Sequence, residues 1–196
     1  VIGSGIMAQN LSGGNPGIAL LGNTIPTGAI LYVIIKMFSP ISGAHFNPIV
    51  SLIFFLRKEL NAGDFLKYLL VQISGGLLAV IIIHYIFEMA IYQVSTNVRG
   101  EWPLFVSEML ATCGLILTIL FIRKNDENSV AMGVALFISA GYWFSSSTSF
   151  ANPAVTIARI FTDTFTGISP ISIMYFLSGQ FLGSLLGYKI FSMFDV

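Results

Sequence analysis

The sequence predicts an all-α membrane protein, six transmembrane helices plus two re-entrant half-helices in an inverted repeat, on three observations. Hydrophobic residues make up 55% of the 196 and charged residues 9%, where a soluble domain carries roughly 25% charge. Apolar runs long enough to cross a bilayer recur along the chain, and two shorter runs each open on Asn-Pro. Residues 1–196 read as a single domain, with one repeat over about 1–90 and the other over about 101–196.

A helix needs about 20 apolar residues to cross the hydrocarbon. The opening stretch VIGSGIMAQNLSGGN is apolar but short, without initiator Met, charged leader or cleavage site, so it reads as the second half of a first span rather than a signal peptide. Asn15-Pro16 then reads as an ordinary loop turn. Further spans follow at residues 18–38, 65–89, 103–122, 130–144 and 171–191. Between the second and third lies SGAHFNPIVSLIFFL, helical from Asn47 to about Leu56, and between the fifth and sixth lies SFANPAVTIARIF, helical from Asn152. Ten helical residues cover about 15 Å, half the hydrocarbon thickness. Both segments therefore read as re-entrant half-helices.

Basic residues accumulate on cytoplasmic loops. Six spans place Lys36, Arg57, Lys58, Lys67, Arg123, Lys124 and Lys189 on one side and only Arg99 and Arg159 on the other. The asymmetry assigns both termini to the cytoplasm and makes the half-helices enter from opposite faces. Aligned on Pro, FNPIVSLIFF and ANPAVTIARI share Asn-Pro-x-Val-(Ser/Thr)-(Leu/Ile), with the two Asn residues 105 positions apart. An odd number of spans separates them, so the halves are inverted, and matched interrupted segments in inverted halves point to a conducting or binding site.

Asn-Pro has a specific use there. Pro is preorganised for the first helical position, where no amide donor is missed, and Asn is a strong N-cap. The Asn carbonyl oxygen caps its helix while the NH₂ group donates to a solute oxygen. Asn47 and Asn152 thus form a neutral donor pair where Pro48, Ile49 and Pro153, Ala154 begin the half-helices. Each half-helix aims its positive end at the meeting point, which opposes cations and protons while neutral hydrogen-bond acceptors pass.

The spans and the paired HFNPIV and FANPAV segments resemble the aquaporin and aquaglyceroporin (major intrinsic protein) family over the whole chain except the start of span one. The resemblance implies a right-handed bundle with one pore per protomer and a homotetramer. Two departures stand out: Ile49 where the family mostly has Ala, and Val155 where most members carry an Arg directly after Asn-Pro-Ala. Positions resembling the family's selectivity filter are Thr27, Ala140 (or Gly141 if the alignment slips by one), Ser149 and Val155, all small and uncharged. The constriction should therefore admit solutes larger than water. YWFSSSTSFANPAVTIARIFTDTFTGI and GNTIPTGAI are similar to bacterial aquaglyceroporin-like channels associated with arsenic resistance. That implies the bacterial inner membrane, and arsenite, the uncharged As(OH)₃, as a solute beside glycerol or a related polyol.

Arg159, four residues after Val155, reads either as a displaced vestibule cation or as a salt-bridge partner of Asp163. His45 either lines the vestibule or braces its loop. Glu108 inside span four is a buried acid; the resemblance implies that it accepts hydrogen bonds from re-entrant loop backbone, against a competing proton-coupling reading. His84 and Glu88, four apart, read as an interfacial pair, and glycines 179, 183 and 187 as a helix-packing stripe. The lone Cys113 excludes an intrachain disulfide, and no metal site or cofactor is expected. With nine basic and nine acidic residues and no basic run, nothing points to nucleic acid.

No nucleophile–base pairing, HExxH or phosphate loop is present, so an enzyme is not expected. The reading is a passive channel for small neutral solutes, with the lipid bilayer as its surroundings. The rival is a secondary transporter, which also uses broken helices in inverted repeats but needs an ion-coupling group near the midplane. A structural junction protein with a closed pore is the third possibility.

Overall fold

The computed structural model describes residues 1–194, and the C-terminal pair assigned above to the basic side lies outside them. Among the described residues eight α-helices follow one another: α1 (Ile2–Leu11), α2 (Pro16–Ser42), α3 (Pro48–Leu56), α4 (Ala62–Ile86), α5 (Trp102–Asn125), α6 (Val130–Phe144), α7 (Pro153–Ala158) and α8 (Ile173–Phe194). Among the described residues, α2, α4, α5 and α8 are long and apolar enough to cross a membrane on their own. α6, at 15 residues, is extended at its start by the 3-10 turn Glu127–Ser129, and α1 has 10 residues. The architecture is the all-helical one expected, with α3 and α7 as the half-helices.

Helix starts follow local chemistry. Asn15, Asn47 and Asn152 each sit at an N-cap in extended backbone, each followed by Pro at the first helical position. Asn15-Pro16 is thus no ordinary loop turn: Asn15 Oδ1 accepts from Gly17 N at 2.9 Å and Ile18 N at 3.2 Å. Asn61 caps α4 by accepting from Asp64 N at 2.9 Å. α2 stops at Gly43, whose φ of 70° lies in the left-handed region that a residue without Cβ enters freely.

α5 packs chiefly on α8, and α2 on α6. The α5–α8 contact is close because of the glycine stripe. A Cβ at Gly179 would lie 2.5 Å from the Phe105 carbonyl oxygen, one at Gly187 would lie 2.8 Å from that of Cys113, and one at Gly183 would strike that of Met109. Both half-helices pack between α4 and α8. Between them and the bundle lies a core that includes Ile53, Ile116, Leu120 and Phe191, each at most 2% exposed. The apolar side chains left outside, such as Leu70, Val71 and Tyr85 on α4, face outward as lipid-contacting residues do. The chain is an integral membrane protein.

The stripe makes a prediction. Gly183→Ala should destabilise by roughly 1–3 kcal/mol, the usual cost of overpacking, because backbone cannot move aside as a side chain can. Gly75→Ala, where an added Cβ meets nothing within 4 Å, is the control. Thermal unfolding of the detergent-solubilised protein should show a lowered midpoint for the first variant and none for the second.

Candidate functional site: a cavity at the half-helix junction

The two re-entrant loops hold each other. Asn47 Oδ1 accepts from Ile49 N at 3.0 Å, and Asn47 Nδ2 donates to the carbonyl of Ala151 at 2.7 Å. Asn152 Oδ1 accepts from Ala154 N at 3.1 Å, and Asn152 Nδ2 donates to the carbonyl of Phe46 at 2.9 Å. Each Asn thus bonds the residue that precedes the other. One hydrogen of each NH₂ group is committed to this exchange and the second is left, so each Asn offers a solute one donor rather than a whole amide.

The repeat is written in the backbone as well. Ala44 and Ser149, three residues before each Asn, both have φ 48°, and Phe46 and Ala151, one before, have φ 47° and 45°. Non-glycine residues in the left-handed region are uncommon and cost energy. Here the strain is held on the second side by Glu108, which is fully buried. Its Oε1 accepts from Phe150 N at 2.9 Å, and its Oε2 accepts from Ala151 N at 2.9 Å and from Gln180 Nε2 at 2.6 Å. With both oxygens occupied by loop and amide donors, the geometry is that of the structural reading of Glu108.

A cavity of about 670 Å³ runs past this junction, from Lys36 and Arg123 at one end to Val155 and Arg159 at the other. Its wall includes Thr27, Ser149 and Val155 of the expected filter, both Asn residues, and His45. Ala140 is a correction: it is exposed and absent from the wall. The pore face of α6 is Ala131, Val134, Ile138 and Tyr142, at three- and four-residue steps, and Ala140 falls on the opposite face. Gly141, the alternative, is buried but packs behind Ser149, since a Cβ there would lie 2.6 Å from Ser149 Cβ. The α6 contribution at this level is therefore Tyr142, a residue the spacing argument passed over although the helical periodicity contained it.

Arg159 does not pair with Asp163. α7 ends at Ala158 and the 3-10 turn Arg159–Phe161 breaks the i, i+4 relation, while Asp163 Oδ1 accepts from Thr96 N at 2.8 Å and Thr96 Oγ1 at 3.0 Å. Arg159 instead turns inward, 4% exposed, with Nε donating to the Thr166 carbonyl and the guanidinium 3.5 Å from the ring centre of Phe150. His45 both lines the cavity and braces its loop, its Nδ1 lying 3.1 Å from Ser51 Oγ. His84 is not paired with Glu88: α4 ends at Ile86, and the imidazole is buried between the Ile91 carbonyl at 3.0 Å and Thr162 Oγ1 at 2.9 Å.

Residues 1–129 match the family model described as "MIP: Major intrinsic protein". The chain belongs to the major intrinsic protein family. Over 185 residues it is 43% identical to aquaglyceroporin AqpS of Rhizobium meliloti (strain 1021), covering 94% of this chain and 79% of that protein. It is 30% identical over 169 residues to an aquaglyceroporin of Toxoplasma gondii, covering 81% of this chain and 62% of that one. With aquaporin NIP2-1 of Zea mays the identity is 27% over 177 residues, covering 87% and 58%. The chain thus spans about four-fifths of the rhizobial relative and about three-fifths of the other two. Major intrinsic proteins are channels rather than enzymes, and membership makes this chain a passive channel for small neutral solutes such as glycerol.

At the basic mouth, Glu59 bridges two cations, accepting from Arg57 Nε at 2.6 Å and from Arg123 Nη1. Burial raises its carboxyl pKa, but hydrogen bonds and charge from Arg57 and Arg123 outweigh that and leave it below the ordinary 4.5. A depressed folded-state pKa contributes stability above the unfolded value that is lost as pH falls through the folded one. Acidification below about 4.5 should therefore lower the unfolding midpoint of the wild type more than that of Glu59→Gln, measured by a pH series of thermal melts.

Proposed function

We propose that the cavity is the solute path and that it is tuned to neutral polyhydroxy molecules, glycerol or As(OH)₃, with water as a smaller passenger. The observation that carries the reading is Val155 in the cavity wall, at the position directly after Asn-Pro-Ala where most of the family carries an Arg. Valine supplies neither charge nor donors and narrows the passage less than a guanidinium. Thr27, Ser149 and Val155 then set a wide, mildly polar constriction, with Tyr142 as the contribution of α6. At the midplane, the uncommitted hydrogens of Asn47 Nδ2 and Asn152 Nδ2 receive a passing hydroxyl oxygen, replacing water contacts one at a time. The positive ends of α3 and α7 face the same point and oppose cations and protons.

A transporter needs an ionisable group at the midplane, and here that level holds two amides whose partners are backbone carbonyls. Flux should accordingly follow the solute gradient alone. The chain sits in a bacterial inner membrane with the Arg57–Glu59–Arg123 cluster and both termini on the cytoplasmic side, by the excess of basic residues there, and assembles as a homotetramer as its family resemblance implies.

Proteoliposomes and stopped-flow light scattering test the reading. The wild type should pass glycerol and arsenite without a proton or sodium gradient. Val155→Arg should lose these by about tenfold or more while keeping water, since a donor-rich cation would again fill the constriction. A channel that passes water alone in both forms would remove Val155 from the filter, and a gradient requirement would favour the transporter.

A further inference from the structure

Arg159 poses a problem that the neutral-solute path does not answer. Its side chain is 4% exposed, and among the described residues no carboxylate lies within ion-pairing distance of it. The nearby acids are engaged elsewhere: Glu108 by Phe150 N, Ala151 N and Gln180 Nε2, and Asp163 by Thr96. A second cation adds to the charge. Arg99 lies 5.4 Å from the same Phe150 ring and reaches the Ser146 carbonyl at 3.2 Å and Thr148 Oγ1 at 3.5 Å, again without an acidic partner. A buried cation lacking its counter-ion is costly, and a ring face with one carbonyl offsets only part of that cost.

The same residue forms part of the cavity wall. Nε is fixed on the Thr166 carbonyl and the plane is held against Phe150, so the fork is oriented before any ligand arrives. A planar, preoriented guanidinium is the side chain best matched to two oxygens of one anion. Val155, four residues earlier, lines the same cavity and brings a smaller, uncharged side chain to it.

We propose that the outer end of the cavity, at Arg159, is a binding site for small monovalent oxyanions, carboxylates or sulfonates of a few heavy atoms, which occupy the path and hinder neutral solutes. This inference rests on the reading of the cavity as the solute path, for the hindrance only; the binding itself does not depend on it. Arg99, near the same Phe150 ring, adds positive charge, so occupancy weakens with salt as well as with loss of Arg159.

Two readouts separate the site from the path. Isothermal titration of the solubilised full chain with sodium methanesulfonate should show saturable binding, and titration with dimethyl sulfone, its neutral near-isostere, should show none. Arg159→Lys should weaken binding by about tenfold by keeping the charge and losing the fork, and Arg159→Gln should abolish it. In proteoliposomes, methanesulfonate should slow efflux of labelled glycerol by about threefold or more, and dimethyl sulfone should not. Equal behaviour of the sulfonate and the sulfone on the wild type would overturn the proposal, whether or not the Gln variant folds. Sulfonate binding without any glycerol flux would uphold the site and sink the path. Glycerol flux without sulfonate binding would do the reverse.

Discussion

Everything in this fold depends on two loops turning back inside a membrane without leaving backbone polar groups unpaired. Such backbone is tolerated in the hydrocarbon region only when buried in protein or set against a polar cavity. The exchange of Asn47 Nδ2 to Ala151 O for Asn152 Nδ2 to Phe46 O satisfies part of each loop with the other. Neither loop is self-sufficient, which ties the two halves of the chain to one geometry. A hydrogen bond of this kind contributes about 0.5–1.5 kcal/mol net, but an unmade one in a buried site costs more. The constraint therefore acts mainly by excluding alternatives.

Behind the exchange stands a second pair of contacts that repeats the inversion. Gln72 Nε2 on α4 donates to Ser51 Oγ at 3.0 Å, and Gln180 Nε2 on α8 donates to Thr156 Oγ1 at 2.8 Å. Ser51 and Thr156 each lie four residues after their Asn, so each half-helix is pinned at the same turn by an amide from the last long helix of its own repeat. The halves then diverge. In the second, Gln180 also reaches the carboxylate of Glu108, which holds the loop. In the first, Ser51 meets the imidazole of His45 at the edge of the cavity. One side of the junction is anchored by an acid and the other by a ring that also faces the path.

The parts legible in the sequence were those decided by local chemistry. Asn-Pro predicts an N-cap with proline at the first helical position wherever it falls, and it does so three times here, including at Asn15 where a plain turn was expected. The glycine stripe predicts close packing because four-residue spacing keeps one helix face bare. What failed was counting through irregular backbone. Ala140 was reached by counting back from Asn152 across a loop with Thr148, Ser149 and Ala151 in the left-handed region, where residue number no longer measures rise. The face of α6 decides instead, and it selects Tyr142. Two i, i+4 pairings failed for a related reason: Arg159–Asp163 crosses a 3-10 turn, and His84–Glu88 runs past the end of α4. Gln180 carried a readable signal, an amide on the helix that also bears the glycine stripe, which burial turns into an obligation to find partners.

The two arginine facts belong together. Where most of the family places a cation directly after Asn-Pro-Ala, this chain has Val155, and the cation one turn on is folded back into the wall rather than out to solvent. Position along the path matters more than presence. A guanidinium at the constriction restricts size and supplies donors to whatever passes, whereas one beyond it, set over the Phe150 ring, would leave the aperture to the uncharged Thr27, Tyr142, Ser149 and Val155. On the proposed reading, size selection and charge are separated onto different residues, Val155 and Arg159. Such a separation would let a path built from neutral amides be wide at its filter and still carry a positive field at the Arg159 end.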